Sequence, residues 1–139
     1  MNIFLDANIL VSVLNKEYPL FTYSARILSL SDNSKFTVYT SPICLAIAYY
    51  FSEKKTGAIS AKRKIEILTK KIKVTSVDNQ TVLQTIQNKS IGDFEDGLEY
   101  YSAQQAKCKC IITEDVSDFH FSSIEVLNAK AFFDTYMIK

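Results

Sequence analysis

The sequence has few of the residues that break regular structure, with three glycines and two prolines among 139 residues. This scarcity argues against a disordered chain and against a turn-rich all-β fold. The length suits one domain, residues 1–139, rather than two with separate cores. No apolar run approaches the roughly 18 residues of a membrane-spanning helix, so we expect no membrane segment. The N-terminus lacks the features of a secretory signal, which favours a cytoplasmic location.

Histidine and cysteine are also scarce, and this limits the chemistry. His120 is the only histidine, so the sequence offers no Ser–His–Asp triad. Cys44, Cys108 and Cys110 are odd in number and indicate no disulfide framework. Two cysteines spaced two apart do not build a tetrahedral zinc site by themselves. We therefore interpret the three cysteines as free thiols that are buried or half-buried beside a strand.

The net charge is only +1, but the charges are unevenly distributed. Eight of the 16 basic residues lie between Lys54 and Lys73, and seven of the 15 acids lie between Asp93 and Asp118. In a nuclease, a basic segment would attract phosphate and an acidic segment would hold metal. A solvated helix face and ordinary capping acids explain the same charges, and charge alone favours this plainer interpretation.

The apolar pattern predicts strands that alternate with helices. The predicted strands span residues 2–5, 36–39, 74–77, 110–113 and 126–127, and the predicted helices span residues 7–15, 20–30, 42–55, 60–71, 81–87, 93–107 and 129–137. Ser41 with Pro42 should begin the third helix, and Gly57 should end it. Thr22 is a candidate cap for the second helix. This alternation predicts an α/β fold in which helices cover both faces of a central parallel sheet.

Acidic residues follow two of the predicted strands. Asp6 comes directly after the first strand, and Glu114, Asp115 and Asp118 come just after the strand at 110–113. In parallel sheets, ligands gather beyond the carboxyl ends of the strands. We therefore expect these acids to meet at one edge of the sheet, although they lie more than a hundred residues apart.

A further group of acids begins the helix predicted at 93–107. Asp93 occupies the N-cap position, whereas Asp96 lies one turn further in, on the same face, where capping no longer explains it. Glu95 and Glu99 are expected to point elsewhere and to be solvated. Taken singly, each acid favours a structural over a catalytic interpretation. Carboxylates that converge repel one another, and a divalent cation such as Mg²⁺ or Mn²⁺ removes that repulsion.

Four segments, in this order, resemble the PIN-domain family. They are the opening FLDANILVSVL, the middle helix SPICLAIAYYF, the stretch DFEDGLEYYSAQQAKCKCIITEDVSDF, and the closing IEVLNAKAFF. Together they cover essentially the whole chain, which most resembles the small bacterial toxins of the VapC group. The resemblance implies a three-layer fold and a ribonuclease that uses Mg²⁺ or Mn²⁺. It also implies a homodimer, with an antitoxin protein as a further partner.

The resemblance also assigns roles to individual residues. It implies that Asp6, Asp96, Asp115 and Asp118 are catalytic metal ligands, with Asn8 and Thr113 at the family's polar supporting positions. Asp93 is a further supporting candidate beside Asp96. One position departs from the family, because Ile47 stands where the middle helix usually carries a glutamate that faces the metals.

Two other functions remain open from the sequence. The absence of an acid at Ile47 favours a non-catalytic PIN-like domain that binds RNA or another protein. A receiver domain of the response-regulator type also clusters acids beyond parallel strands, although Asp6 is followed by a helix rather than by a second acid. For the nuclease, we predict that the basic segment contacts RNA phosphates, foremost through Lys62, Arg63 and Lys64.

Overall fold

The computed structural model describes residues 1–138. The strands are β1 (Asn2–Leu5), β2 (Thr37–Thr40), β3 (Lys73–Val74), β4 (Cys110–Ile112) and β5 (Glu125–Leu127). The helices are α1 (Ala7–Leu14), α2 (Leu20–Leu28), α3 (Pro42–Thr56), α4 (Ala58–Lys71), α5 (Asn79–Gln87), α6 (Phe94–Gln105) and α7 (Ala129–Phe132). There are also 3₁₀ turns at Ser29–Asp32 and Val116–Phe119, and a π-helical turn at Phe133–Met137.

The five strands form one parallel sheet in the order β3-β2-β1-β4-β5. Ile3, Phe4 and Leu5 of β1 have no exposed surface, and the whole of β4 is buried. Central strands become this apolar when helices cover both faces of a parallel sheet. The predicted α/β class, with a central parallel sheet flanked by helices, is confirmed.

The strand order places a topological switch point beside β1. The chain runs from β1 through β2 to β3 on one side, and then returns to build β4 and β5 on the other. At such a reversal, the connections leave adjacent strands in opposite directions and open a crevice beyond their carboxyl ends. Here that crevice lies at the ends of β1 and β4, where the Asp6 amide donates to the Ile112 carbonyl at 3.0 Å.

Several helix boundaries follow the sequence signals. The Ser41 side chain accepts a hydrogen bond from the Cys44 amide at 3.1 Å, and Pro42 is the first residue of α3. Gly57 ends α3 with a φ of 89°, a left-handed conformation that favours glycine. Asp93 caps α6 by accepting from the Glu95 amide at 2.9 Å. These boundaries agree with the prediction from the sequence.

Other boundaries differ from the prediction. Thr22 is not a cap, because the Phe21 amide already donates to the Glu17 carbonyl and helical bonding therefore begins before it. The strand predicted at 74–77 shrinks to β3, since Asp78 begins to cap α5 only four residues after Val74. The predicted helix at 129–137 changes from α to π geometry after Phe132. None of the described helices combines the length and the apolar character needed to cross a membrane.

Candidate metal centre

Asp6 and Thr113 form the centre of the site, at the switch point. Asp6 follows β1 and is only 6% exposed, and its Oδ1 accepts the Ala7 amide at 2.6 Å as the cap of α1. Thr113 follows β4 and is fully buried, and its hydroxyl donates to Asp6 Oδ2 at 2.7 Å. Both carboxylate oxygens of Asp6 therefore accept a hydrogen bond, and these bonds fix the orientation of the group.

Asn8 extends this network to the loop after β4. Its amide nitrogen lies 3.2 Å from both Thr113 Oγ1 and Asp115 Oδ2, and its amide oxygen accepts from the Glu114 backbone N–H at 3.2 Å. The Asp115 amide donates to Thr113 Oγ1 at 3.0 Å. One amide side chain thus holds the β4 loop against the start of α1, and it positions the carboxylate of Asp115.

Helix α6 brings Asp96 to the same place. Its side chain is half-buried, and the pKa of Asp96 is raised to about 7. Burial is the largest cause, and repulsion from Asp93, Asp6, Asp118 and Asp115 contributes the rest of this rise. These interactions show that acids from three separate parts of the chain lie close enough to affect one another.

Glu99 is buried, so the expectation that it is solvated is wrong. It is 2% exposed, and its Oε1 accepts from the thiol of Cys44 at 3.1 Å. The pKa of Glu99 is raised to about 11, first by burial and then by the neighbouring Asp6. Asp6, Cys44 and Glu99 each offer a ligand atom, and these three atoms lie within 4.8 Å of one another.

Cys44 also differs in its setting from the two other cysteines. All three are buried free thiols, as expected. Cys108 and Cys110 lie just before and within β4, whereas Cys44 lies in the first turn of α3 beside the acids. Burial raises its pKa, as do the charges of Glu99 and Asp6, so the thiol stays protonated in this setting.

The side chains surround one open cleft with a volume of about 550 Å³. Nine of its lining residues are acidic, and none of the described lining residues is a lysine, arginine or histidine. The nine are Asp6, Glu17, Asp93, Glu95, Asp96, Glu99, Glu114, Asp115 and Asp118. The structure therefore brings the four predicted ligands together with the supporting Asn8 and Asp93. Their roles toward a metal remain a prediction.

The opposite wall of the cleft is apolar. Val11 and Leu20 come from α1 and α2, and Ile47 and Phe51 come from α3. Ile47 is partly buried against the core, and Phe51 is 46% exposed. Helix α3 therefore contributes no carboxylate to the cleft, in agreement with the departure seen in the sequence at position 47.

The basic segment does not enter the cleft. Lys62 and Arg63 are exposed on α4, and neither lines it. Lys64 donates to the Leu14 carbonyl at 3.1 Å, and Lys55 donates to the Asn15 carbonyl at 2.7 Å. Both lysines thus cap the carboxyl end of α1, where the negative end of the helix dipole favours a cation. Contacts with RNA remain a prediction for Lys62, Arg63 and Lys64.

The donor set fits a hard divalent cation. Oxygen atoms from carboxylates, an amide and a hydroxyl are the ligands that Mg²⁺ and Mn²⁺ prefer, and both ions tolerate an open site that keeps several waters. The two ion pairs found among the described residues are Lys71–Asp32 and Lys130–Asp134, so no acid of the cleft is paired with a basic side chain there. Such an accumulation of negative charge is compensated when a cation binds.

Known proteins are similar to this chain in sequence and in architecture. The protein named Ribonuclease VapC1 from Aquifex aeolicus (strain VF5) is 26% identical over 133 residues, which cover 94% of this chain and 92% of that protein. Two solved structures have a similar fold. The first is VapBC2 from Rickettsia felis, bound to a DNA fragment from its promoter, with a TM-score of 0.68, 20% identity, and coverage of 92% of this chain and 98% of that chain.

The second is VapC20 from Mycobacterium tuberculosis, described as a sarcin-ricin loop cleaving toxin. Its TM-score is 0.66 at 17% identity, and the match covers 88% of this chain and 98% of that chain. At these identities the two structures show that the fold is shared. The sequence model of the PIN domain matches residues 2–117, which include every acid of the cleft except Asp118. With that match over most of its length, the chain belongs to the PIN-domain family.

Proposed function

We propose that this chain is a metal-dependent endoribonuclease of the PIN type and the toxin of a toxin–antitoxin pair. The observation that carries the proposal is the cleft itself, where nine carboxylates and no basic side chain line the switch point of a parallel sheet among the described residues. Relatives support the same reaction, since VapC1 is named a ribonuclease and VapC20 a toxin that cleaves the sarcin-ricin loop.

Asp6, Asp96, Asp115 and Asp118 are the proposed ligands, and Mg²⁺ or Mn²⁺ is the proposed ion. When bound, such an ion would activate a water and stabilise negative charge on the phosphodiester. Asp6 is the most firmly held ligand, because Ala7 and Thr113 bind both of its oxygens. Asp115 is held by Asn8, and Asp118 stands exposed at the rim of the cleft.

The substrate must bring a negatively charged backbone to an acidic cleft. Without a cation, the charged acids of the cleft would repel phosphate, so we expect RNA binding in the cleft to depend on the metal. Lys62 and Arg63 would bind phosphates at a distance from the cleft. Replacing both with glutamate should flatten the salt dependence of RNA binding, by a slope of roughly 1 for each phosphate that the variant no longer neutralises.

A protein partner is proposed from the relatives. VapBC2 was solved as a VapBC assembly with promoter DNA, and the family resemblance implies an antitoxin that silences the nuclease. We also propose a homodimer on the strength of that resemblance. Co-expression with the product of a small neighbouring gene, followed by size-exclusion chromatography, would test both assemblies.

The function is tested by an RNA cleavage assay with and without Mn²⁺, comparing the natural protein with Asp96→Asn. The substitution removes one charge and nearly keeps the shape of the side chain. Loss of an outer-sphere partner in a metal site typically costs about 10–100-fold, so loss of a ligand should reduce cleavage by at least about 100-fold. Cleavage in excess EDTA, or equal cleavage by a folded Asp96→Asn variant, would refute the proposal.

A further inference from the structure

Glu99 is the most deeply buried acid of the cleft. It is 2% exposed, on the face of α6 that also carries Asp96 one turn earlier. Residues three apart on a helix are neighbours, so α6 presents two carboxylates side by side. A carboxyl oxygen of Glu99 lies within 4.8 Å of one of Asp6, which is itself 6% exposed, and the thiol of Cys44 donates to Glu99 Oε1 at 3.1 Å.

This arrangement lacks a positive charge. A buried carboxylate usually pairs with a basic side chain or coordinates a metal, because burying an unpaired charge is costly. Among the described residues, both partners of Glu99 are acidic or neutral, and no lysine, arginine or histidine lines the cleft that it faces. A cation held by Asp6 would therefore find a second buried carboxyl oxygen, that of Glu99, within 4.8 Å of the Asp6 ligand atom.

Helix α3 shows the complementary feature. Cys44 and Ile47 lie one turn apart on α3, and they face the cleft region with a thiol and an aliphatic side chain. Helix α3 thus supplies no carboxylate to the described lining of the cleft, whereas α6 supplies one at Glu99 in addition to Asp96. Both helices pack at the same crevice, so a ligand from α6 can reach the ion that Asp6 holds.

We propose that Glu99 is a carboxylate ligand of the divalent cation held by Asp6, and that it takes the place of the acid missing at position 47. This inference rests on the metal site of the proposed function. It adds a ligand from a different helix to that site. Three of its carboxylates would then come from buried or half-buried positions, those of Asp6, Asp96 and Glu99.

The test is a Mn²⁺ titration followed by electron paramagnetic resonance, which counts free Mn²⁺ directly and needs no RNA. Glu99→Gln keeps the size of the side chain and removes one oxygen ligand. Its dissociation constant for Mn²⁺ should rise by at least about tenfold, in line with the 10–100-fold cost of weaker, indirect perturbations of metal sites. Glu66→Gln is the matched control, since it makes the same substitution at an exposed position on α4 that does not line the cleft, and it should change the constant by less than about threefold.

An affinity of folded Glu99→Gln within about twofold of the natural protein would overturn the assignment. Equal losses in Glu99→Gln and Glu66→Gln would overturn it as well, because general charge would then explain the effect. Circular dichroism in EDTA checks folding. If Glu99→Gln does not fold, Glu99→Asp serves instead: withdrawing the carboxylate by one methylene should weaken Mn²⁺ binding at least about fivefold, and an unchanged affinity would refute the proposal.

The outcome is independent of whether the protein cuts RNA. If the natural protein binds Mn²⁺ but cleaves no RNA, the proposed function fails while the ligand assignment is still decided by Glu99→Gln. If the protein cleaves RNA and Glu99→Gln binds Mn²⁺ normally, the function stands and the assignment fails.

Discussion

The buried hydroxyl of Thr113 offers a sharp test of how the site is organised. Thr113→Val keeps the size of the side chain and removes only Oγ1. Three hydrogen bonds disappear with it, namely the donation to Asp6 Oδ2 at 2.7 Å and the acceptances from Asn8 Nδ2 at 3.2 Å and from the Asp115 amide at 3.0 Å. Because the residue is fully buried, water does not readily replace the bond to Asp6.

The expected destabilisation can be worked out bond by bond. A hydrogen bond to a charged group contributes about 1.5–3 kcal/mol. The other two bonds count for less, since Asn8 still reaches Asp115 Oδ2 and the exposed Asp115 can turn to water. We therefore expect Thr113→Val to lower the free energy of unfolding by about 2–3 kcal/mol.

Urea denaturation in EDTA measures this change, and Thr113→Ser is the matched control. Serine keeps the hydroxyl and loses one methyl group, at a cost of about 1 kcal/mol. Thr113→Val should also weaken Mn²⁺ binding by about 10–100-fold through the loosened Asp6, whereas Thr113→Ser should not. If the two variants are equally stable and bind Mn²⁺ equally well, the network does not organise the site.

Three further predictions concern packing, pH and the missing acid. Gly97→Ala should destabilise the protein by about 1–2 kcal/mol despite the better helix propensity of alanine, because the alanine Cβ would lie 2.4 Å from Thr85 Cγ2. Adding Thr85→Ser to Gly97→Ala removes that methyl group and should restore the melting temperature. The melting temperature of the metal-free protein should fall from pH 5 to pH 7, because Asp96 has a pKa of about 7 in the folded chain against an ordinary 3.8, and its protonated form favours folding at low pH. Glu99, with a pKa of about 11, should extend this fall to pH 8. A melting temperature that stays constant or rises over this range would contradict both pKa shifts. Ile47→Glu should strengthen Mn²⁺ binding and raise RNA cleavage by adding an oxygen ligand, provided that circular dichroism shows a folded protein. An unchanged Mn²⁺ affinity in a folded variant would count against a metal position near α3.

Topology makes most of the cleft predictable. Asp6 and Asp115 lie more than a hundred residues apart, yet each follows a buried strand, and parallel strands end at a common edge. Asp96 lies in the first turn of α6, where the helix dipole also favours acids, so its i, i+3 spacing from Asp93 is the signal that places it on the same face. The caps Ser41 and Asp93 depend on their immediate neighbours alone, and short-range signals of this kind are the easiest to read.

The burial of Glu99 escapes prediction although a signal exists. Asp96 and Glu99 have the same i, i+3 spacing that joins Asp93 to Asp96, so the helical period places all three near one face. The general preference of glutamate for solvent outweighs this spacing when only the sequence is known. The thiol of Cys44 carries no comparable signal, because a cysteine in an apolar helix resembles an ordinary core residue.

The setting of the basic segment is not readable from the sequence either. Lys55 and Lys64 cap the end of α1 through contacts that span 40 and 50 residues. Only the packing of α3 and α4 against α1 creates those contacts. A charge count therefore overstates how many cations are free to meet RNA.

The carboxylates of the cleft are proposed above all to bind a divalent cation. The most direct measurement is an anomalous difference map from crystals soaked in Mn²⁺. We predict a strong peak between Asp6 and Asp96, within the roughly 2.0–2.6 Å that hard cations keep from carboxylate oxygens. A map with no peak in the cleft at millimolar Mn²⁺, or with a peak only elsewhere on the surface, would contradict cation binding by these acids.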